Sequence, residues 1–330
     1  MADEDGVKEP EVLALPDVQT QPQQVSVFES PYFLALEQEK RNYKAAFENS
    51  RRNLRVERIR RIESIRSSKV IVYYSVATLT HQHAEILFDL LQSVGKRENL
   101  DLFLLSPGGF IDPAFKMANL CREFAKARFS VIVPHYAKSA ATLLCLGSDE
   151  LVMGPVSEIG PTDPRIEIKD EYGRRLNVSA TAVEDALGVI EEIAAGDPVK
   201  SLKYMPLIEK INLNTLGEYR RALKSSKQYA EELLKRGKLL KDKAKASDVA
   251  EKLAKQYWAH GYPLHAQAAK AELDFQVAEA TGELWQSAWQ LHKLYDAMIK
   301  DSRDAQTMTT TIFEAEEFLM PLNEPLVSYE

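Results

Sequence analysis

The stretches LLSPGGFIDPAFKM (Leu104–Met117) and VIVPHYAKSAATLLCLGSDELVMGPVSEIGPTDP (Val131–Pro164) decide how this chain folds. In the first, an apolar strand runs into Gly108-Gly109, where the backbone can turn its N–H groups outward because no Cβ intervenes. In the second, the strand around Val131–Val133 leads to Ser139, which opens a short helix of Ala140, Ala141, Thr142 and Leu143 closed by Gly147. A third apolar run, Leu151–Met153, then enters a loop rich in glycine and proline. Buried strands, backbone-only turns and one hydroxyl at a helix start are what acyl transfer needs.

The flanking sequence extends the same pattern. VIVYYSV (Val70–Val76) is a continuous β-branched and aromatic run, as expected of a strand buried on both faces. A helix follows from His83 to Ser93, with Ile86, Leu87, Leu90 and Leu91 on one side and Gly95 as its stop. Next come the strand Leu100–Leu105 and a helix Pro113–Lys126, capped by Asp112 and laying Met117, Leu120, Cys121 and Phe124 on the sheet. Strand–helix–strand at these spacings predicts parallel βαβ units with right-handed crossovers.

Beyond Pro164, Arg165–Lys169 and Arg174–Val178 form a predicted hairpin across Glu171-Tyr172-Gly173. Thr181 and Glu184 mark a capping box for a helix to Gly196. Further helices are predicted over Leu216–Arg236, Asp248–Tyr257 and Glu283–Lys300, the last with Trp285, Trp289 and His292 on one side, and an extended tail from Asp301.

Composition narrows the function. A net charge of −7 argues against a general nucleic-acid binder. The arginine-rich helix before Val70 has Glu48, Glu57 and Glu63 interleaved, with Leu54, Ile62 and Ile65 near helical spacing, and reads as a solvated or subunit-docking face. No apolar run approaches the roughly 18 residues of a membrane span. The acidic N-terminus lacks the features of a secretory signal, so a cytoplasmic location is expected. Cys121 and Cys145 lie in apolar helical contexts and read as reduced core residues. No metal-ligand spacing or Walker-type loop occurs, so no cofactor is expected.

Two features carry the chemistry. Gly108 and Gly109 follow a strand at the carboxyl edge of a parallel sheet, where open α/β folds place ligands. Ser139 sits where the helix dipole and free N–H groups stabilise negative charge, with small residues after it to admit a peptide backbone. SPGG followed by YAKSAATLLCLGSDELVMGPVSEIGPTDP resembles the serine dehydrogenase proteinase family, which is similar to signal peptide peptidase A and the Clp protease proteolytic subunit within the Clp/crotonase superfamily. The resemblance covers Val70–Pro164 and, more weakly, Thr215–Val277.

The resemblance implies an α/β fold built as a Clp/crotonase-like spiral of ββα units with added N-terminal and C-terminal helices, assembled into a homo-oligomer. The implied organisation is a flexible acidic tail (1–27), a basic helical arm (28–69), a peptidase domain (70–278) and a C-terminal helix with an extended tail (279–330). Ser139 would be the nucleophile and the N–H groups of Gly108 or Gly109 and of Ala140 the oxyanion hole, acting on a protein or peptide without ATP. The base is not implied so directly. The Clp-type histidine would fall at Asp163 or Pro164, and no histidine lies between Ser139 and His260. A signal-peptide-peptidase-type lysine would correspond to Lys203 or Lys200, and a lysine serves as a base only when burial keeps it neutral. Lys138 adjoins the nucleophile, but neighbouring side chains diverge. His260, in HGYPLHAQAAKAEL, is the remaining candidate, and Asp274 stands where the family has a glycine. Two other readings compete: a catalytically silent oligomeric scaffold or peptide binder, and an acyl-CoA enzyme sharing the same oxyanion hole.

Overall fold

The alternating side chains of VIVYYSV divide between two cores, and that division sets the architecture. Ile71 and Tyr73 enter one apolar cluster while Val70, Val72 and Tyr74 enter another on the opposite face. The structure is a computed structural model that describes residues 31–169, 175–180, 213–257, 261–304 and 309–324, with Ala259 and single positions between 185 and 195. Contacts divide the chain between Ser50 and Arg51. Of the first unit, residues 31–50 are helical.

The elements follow in order: α1 (Pro31–Arg66), β1 (Lys69–Ser75), α2 (His81–Val94), β2 (Arg97–Leu105), α3 (Ile111–Phe124), β3 (Ala125–Val133), β4 (Tyr136–Ala137), α4 (Ala140–Leu146), β5 (Glu150–Met153), β6 (Glu158–Ile159), β7 (Arg165–Lys169) and β8 (Arg175–Ser179). After a stretch described only at single positions come α5 (Leu213–Arg236), α6 (Ala246–Glu251), β9 (Leu264–His265), α7 (Ala266–Leu273), β10 (Val277–Glu279), α8 (Gly282–Asp304), β11 (Thr309–Ala315) and β12 (Phe318–Asn323).

The fold is α/β. A seven-stranded sheet runs β10-β5-β3-β2-β1-β11-β12, and a small sheet runs β4-β6-β9. From β10 to β1 all pairings are parallel, and β11 and β12 add antiparallel strands at the far edge. Strands β3 and β5 of the large sheet are each followed by a short strand of the small one, so β3-β4-α4 forms a ββα unit. Helices α2, α3, α4, α5, α6 and α7 pack on one face with Leu87, Met117, Cys121, Leu144, Leu233 and Leu273 in the core. On the other face lie Ile59 and Ile62 of α1 and Ala288, Leu291, Tyr295 and Ile299 of α8. Both cysteines are buried free thiols.

The predicted hairpin at Arg165 forms as β7-β8. The helix expected from Thr181 to Gly196 falls largely outside the described residues. Helix α3 starts earlier than expected, with Phe110 at its N-cap, and Asp112 instead accepts a hydrogen bond from the Tyr229 hydroxyl at 2.8 Å. Asp274, in the place of a glycine, takes the left-handed conformation itself, with φ 58° and ψ 34°. A short polar side chain tolerates that region better than most.

Two expectations are corrected. The stretch from Asp301 is not an extended tail, because β11 inserts beside β1 with Tyr73 opposite Phe313 and Ser75 opposite Thr311. Nor is the basic helix an arm from Arg51 onward. Its buried stripe is Val56, Ile59 and Ile62, while Leu54 and Ile65 face solvent. Its arginines pair with carboxylates of the same unit: Arg51 with Asp301, Arg55 with Glu314, Arg60 with Glu316, Arg61 with Glu283, and Arg66 with Asp101 and Glu150. Among the described residues, no helix is long and apolar enough to cross a membrane.

Candidate active site

Strand β2 ends in Ser106-Pro107-Gly108-Gly109, and Leu79 straps this turn through its backbone. The Leu79 N–H donates to Gly108 O at 2.8 Å, and the Phe110 N–H donates to Leu79 O at 3.0 Å. Gly108 has φ 96° and Gly109 φ 154°, a range that side chains with a Cβ rarely enter. Space forbids a side chain as well. A Cβ on Gly108 would lie 2.5 Å from Lys138 O, 2.9 Å from Ser139 Cβ and 3.0 Å from the Ala140 nitrogen. A Cβ on Gly109 would meet Leu79 N at 2.4 Å and Leu79 O at 2.5 Å. Glycine at 108 therefore lets two turns that are distant in sequence touch. Gly108→Ala is expected to destabilise the protein by about 2–4 kcal/mol, combining a positive φ with overpacking against backbone. Urea denaturation checks this, and a loss below about 0.5 kcal/mol would contradict the contact.

The second turn carries Ser139, which is 7% exposed and occupies the N-cap of α4. Its backbone, at φ 49° and ψ −123°, lies outside the regions open to L-residues. The turn is held from beneath. The Thr142 hydroxyl bridges the carbonyls of Ala137 at 3.0 Å and Gly160 at 2.9 Å, and the Ala141 and Thr142 N–H groups bond Lys138 O and Ser139 O. These bonds leave the Ser139 hydroxyl and the Ala140 N–H without a hydrogen-bond partner among the described residues. The Gly109 N–H is in the same state, whereas the Gly108 N–H donates to the Ser106 hydroxyl at 3.1 Å.

Of the other predicted site residues, Lys200, Lys203 and His260 lie outside the described residues. Lys138 turns away from the serine: its ammonium pairs with Glu158 at 2.7 Å and donates to the carbonyls of Gly261 and Tyr262. Gly160 makes room for its stem. His265 caps α7, its Nδ1 accepting from the Ala268 N–H at 3.1 Å. Asp163, at the place of the Clp-type histidine, is buried. Among the described residues, no group of acids, histidines and cysteines could hold a metal ion.

A serine in a strained strand-to-helix turn against a double glycine is the arrangement of a particular class of protein. Residues 30–173 match the family of ClpP-like SDH-type serine proteinases. This segment holds every element of the two turns. Two uncharacterized proteins of Methanocaldococcus jannaschii are similar at 27% identity over 208 residues and 26% over 245. The alignments cover 60% and 74% of this chain, and 59% and 75% of those proteins. The chain thus spans less than two thirds of the first relative. Among solved structures, a membrane-bound stomatin-specific protease, seen as a mutant, is similar at 15% identity, with 74% of this chain and 87% of that one covered and a TM-score of 0.39. ClpP1 from Listeria monocytogenes is similar at 12% identity, with 67% and 98% covered and a TM-score of 0.36.

Sequence reasoning missed the polar groups beneath the first turn. Tyr73 and Ser75 read as part of an apolar strand, yet the Tyr73 hydroxyl bonds His83 Nδ1 at 2.9 Å and Ser75 bonds Thr311 at 2.7 Å. The signal was a tyrosine and a serine two apart on one face of a doubly buried strand, since buried hydroxyls need partners.

Proposed function

We propose that the protein is a serine peptidase that cleaves a peptide bond through an acyl-enzyme on Ser139. The observation that carries this reading is the juxtaposition of the strained Ser139 turn with Gly108, which sets two unpaired N–H groups, of Gly109 and Ala140, beside an unpaired hydroxyl. The Ser139 Oγ forms a bond to the substrate carbonyl carbon as its proton passes to a base. The carbonyl oxygen becomes an oxyanion that accepts from Gly109 and Ala140, donors already fixed in place. Collapse breaks the C–N bond, the base returns the proton to the leaving amine, and water hydrolyses the ester. Because Gly108 already donates to Ser106, Gly109 is the better of the two glycines for this role. The base is drawn from Lys203, Lys200 or His260. Action on protein or peptide chains, and assembly of several copies, complete the reading and rest on the sequence resemblance.

One observation favours a second reading. The Ser139 hydroxyl meets no base among the described residues, as in a scaffold that kept the fold and lost catalysis. A fluorophosphonate probe separates the two. With an active serine, peptide mapping finds the adduct on Ser139 and Ser139→Ala abolishes it. An unlabelled wild type, or equal labelling of Ser139→Ala, rejects the peptidase reading.

A further inference from the structure

The Gly108 N–H is the first link of a buried hydrogen-bond chain that ends at the C-terminal hairpin. It donates to Ser106 Oγ at 3.1 Å. Ser106 in turn hydrogen-bonds the Tyr73 hydroxyl through its side chain. Tyr73 bonds His83 Nδ1 at 2.9 Å, and His83 Nε2 bonds both Glu324 oxygens at 2.8 and 2.9 Å. The Thr80 N–H also points at His83 Nδ1, at 3.3 Å, which makes that nitrogen an acceptor and leaves the proton on Nε2. Every link therefore donates in one direction, from the glycine turn toward the Glu324 carboxylate. Burial pushes the Tyr73 phenol far up, so it stays a donor. Ser106, Tyr73 and His83 are fully buried, and Glu324 is anchored by the Thr311 hydroxyl at 2.7 Å and by its own N–H to Thr310 at 3.0 Å.

Simple stabilisation does not account for the direction. A buried hydroxyl needs one partner, and Tyr74, the next residue, finds one in His292 Nδ1 at 3.0 Å on the opposite face. The Tyr73 chain continues past its histidine to a carboxylate and past its hydroxyl to the glycine turn. Aligned donors polarise one another, and the carboxylate at the far end draws the whole series toward itself. The effect at the turn is to hold the Gly108 N–H inward, which fixes the next peptide plane and leaves the Gly109 N–H free.

We propose that Ser106, Tyr73, His83 and Glu324 are positioning residues that orient the Gly108-Gly109 turn for oxyanion binding, and so tie the reactivity of Ser139 to the seating of the C-terminal hairpin. The proposal rests on the peptidase reading above. It is tested on the full chain with Tyr73→Phe, Ser106→Ala and, as control, Tyr74→Phe, which loses an equally buried tyrosine–histidine bond with no link to the turn. Saturation kinetics of fluorophosphonate labelling and thermal midpoints are measured for each.

Tyr73→Phe and Ser106→Ala are expected to lower the limiting labelling rate at least about tenfold, with the half-saturating probe concentration little changed. Tyr74→Phe should stay within about twofold while losing similar thermal stability. Ser106→Ala removes only one small hydroxyl and keeps the test open should Tyr73→Phe fail to fold. If the wild type labels and the Tyr73, Ser106 and Tyr74 variants label alike, the positioning role is overturned and the nucleophile stands. If the wild type does not label, both fall together.

Discussion

Ser139→Gly is expected to gain stability while losing all reaction at residue 139. The backbone there sits at φ 49° and ψ −123°, a conformation that costs a non-glycine residue about 1–3 kcal/mol. Glycine relieves that strain, and the flexibility it adds to the unfolded chain takes back about 0.4–1 kcal/mol. The lost hydroxyl has no hydrogen-bond partner among the described residues, so its removal leaves no acceptor stranded. The net gain is about 1 kcal/mol, or a few degrees in midpoint for a unit of this size. Ser139→Ala separates the two effects. Alanine keeps the strain and should match the wild type in stability, yet it is as unreactive as glycine. Differential scanning calorimetry beside probe labelling reads both. A Ser139→Gly protein less stable than Ser139→Ala would mean that the turn is not strained, and that the serine is held there for its side chain's structural contacts. The expected outcome instead has the fold giving up stability to present a nucleophile.

The largest loss of stability is expected from Glu314→Ala. Arg55 is 2% exposed and Glu314 fully buried. They are joined by Arg55 Nε to Oε2 at 2.8 Å and by a longer second bond at 3.4 Å, while the Tyr295 hydroxyl donates to Oε2 at 2.8 Å. Deleting the carboxylate leaves a guanidinium and a phenol buried without their acceptor, a loss of about 3–5 kcal/mol. Replacing both ends, as in Arg55→Met with Glu314→Leu, should recover most of it, because an apolar pair needs no desolvation. Urea denaturation of the two single variants and the double variant forms a closed cycle. Single-variant losses near 1 kcal/mol, the size of an exposed ion pair, would show that water reaches the site.

That ion pair also explains where sequence reading stopped. Glu314 lies inside TTTIFEA, and a charged residue there argues against a strand packed on both faces. Arg55 lies in a run of arginines that reads as a solvated face. Each is misread alone, because the partner that neutralises it is 259 residues away. One long-range contact thus accounts for both corrections, the C-terminal hairpin in the sheet and the basic helix docked on its face. The stripe of α1 was misplaced for the same reason. Arg55 and Val56 turn inward while Leu54 turns out, and only the buried acceptor makes that rotation favourable.

The local parts of the site were legible from the residues. Gly108 and Gly109 announce a backbone that no other residue follows, and Ser139 before a run of small residues announces a helix start. Strands such as β1 declared themselves through unbroken apolar content. Such features depend on backbone sterics and on burial of a single segment, which neighbouring residues encode. Tertiary structure alone decided that Gly108 abuts Ser139, that Lys138 is turned aside to Glu158, and that Tyr73 reaches Glu324 through His83. Those facts depend on the register between strands and on partners found across the sheet, and registers are set by packing rather than by any one stretch of chain.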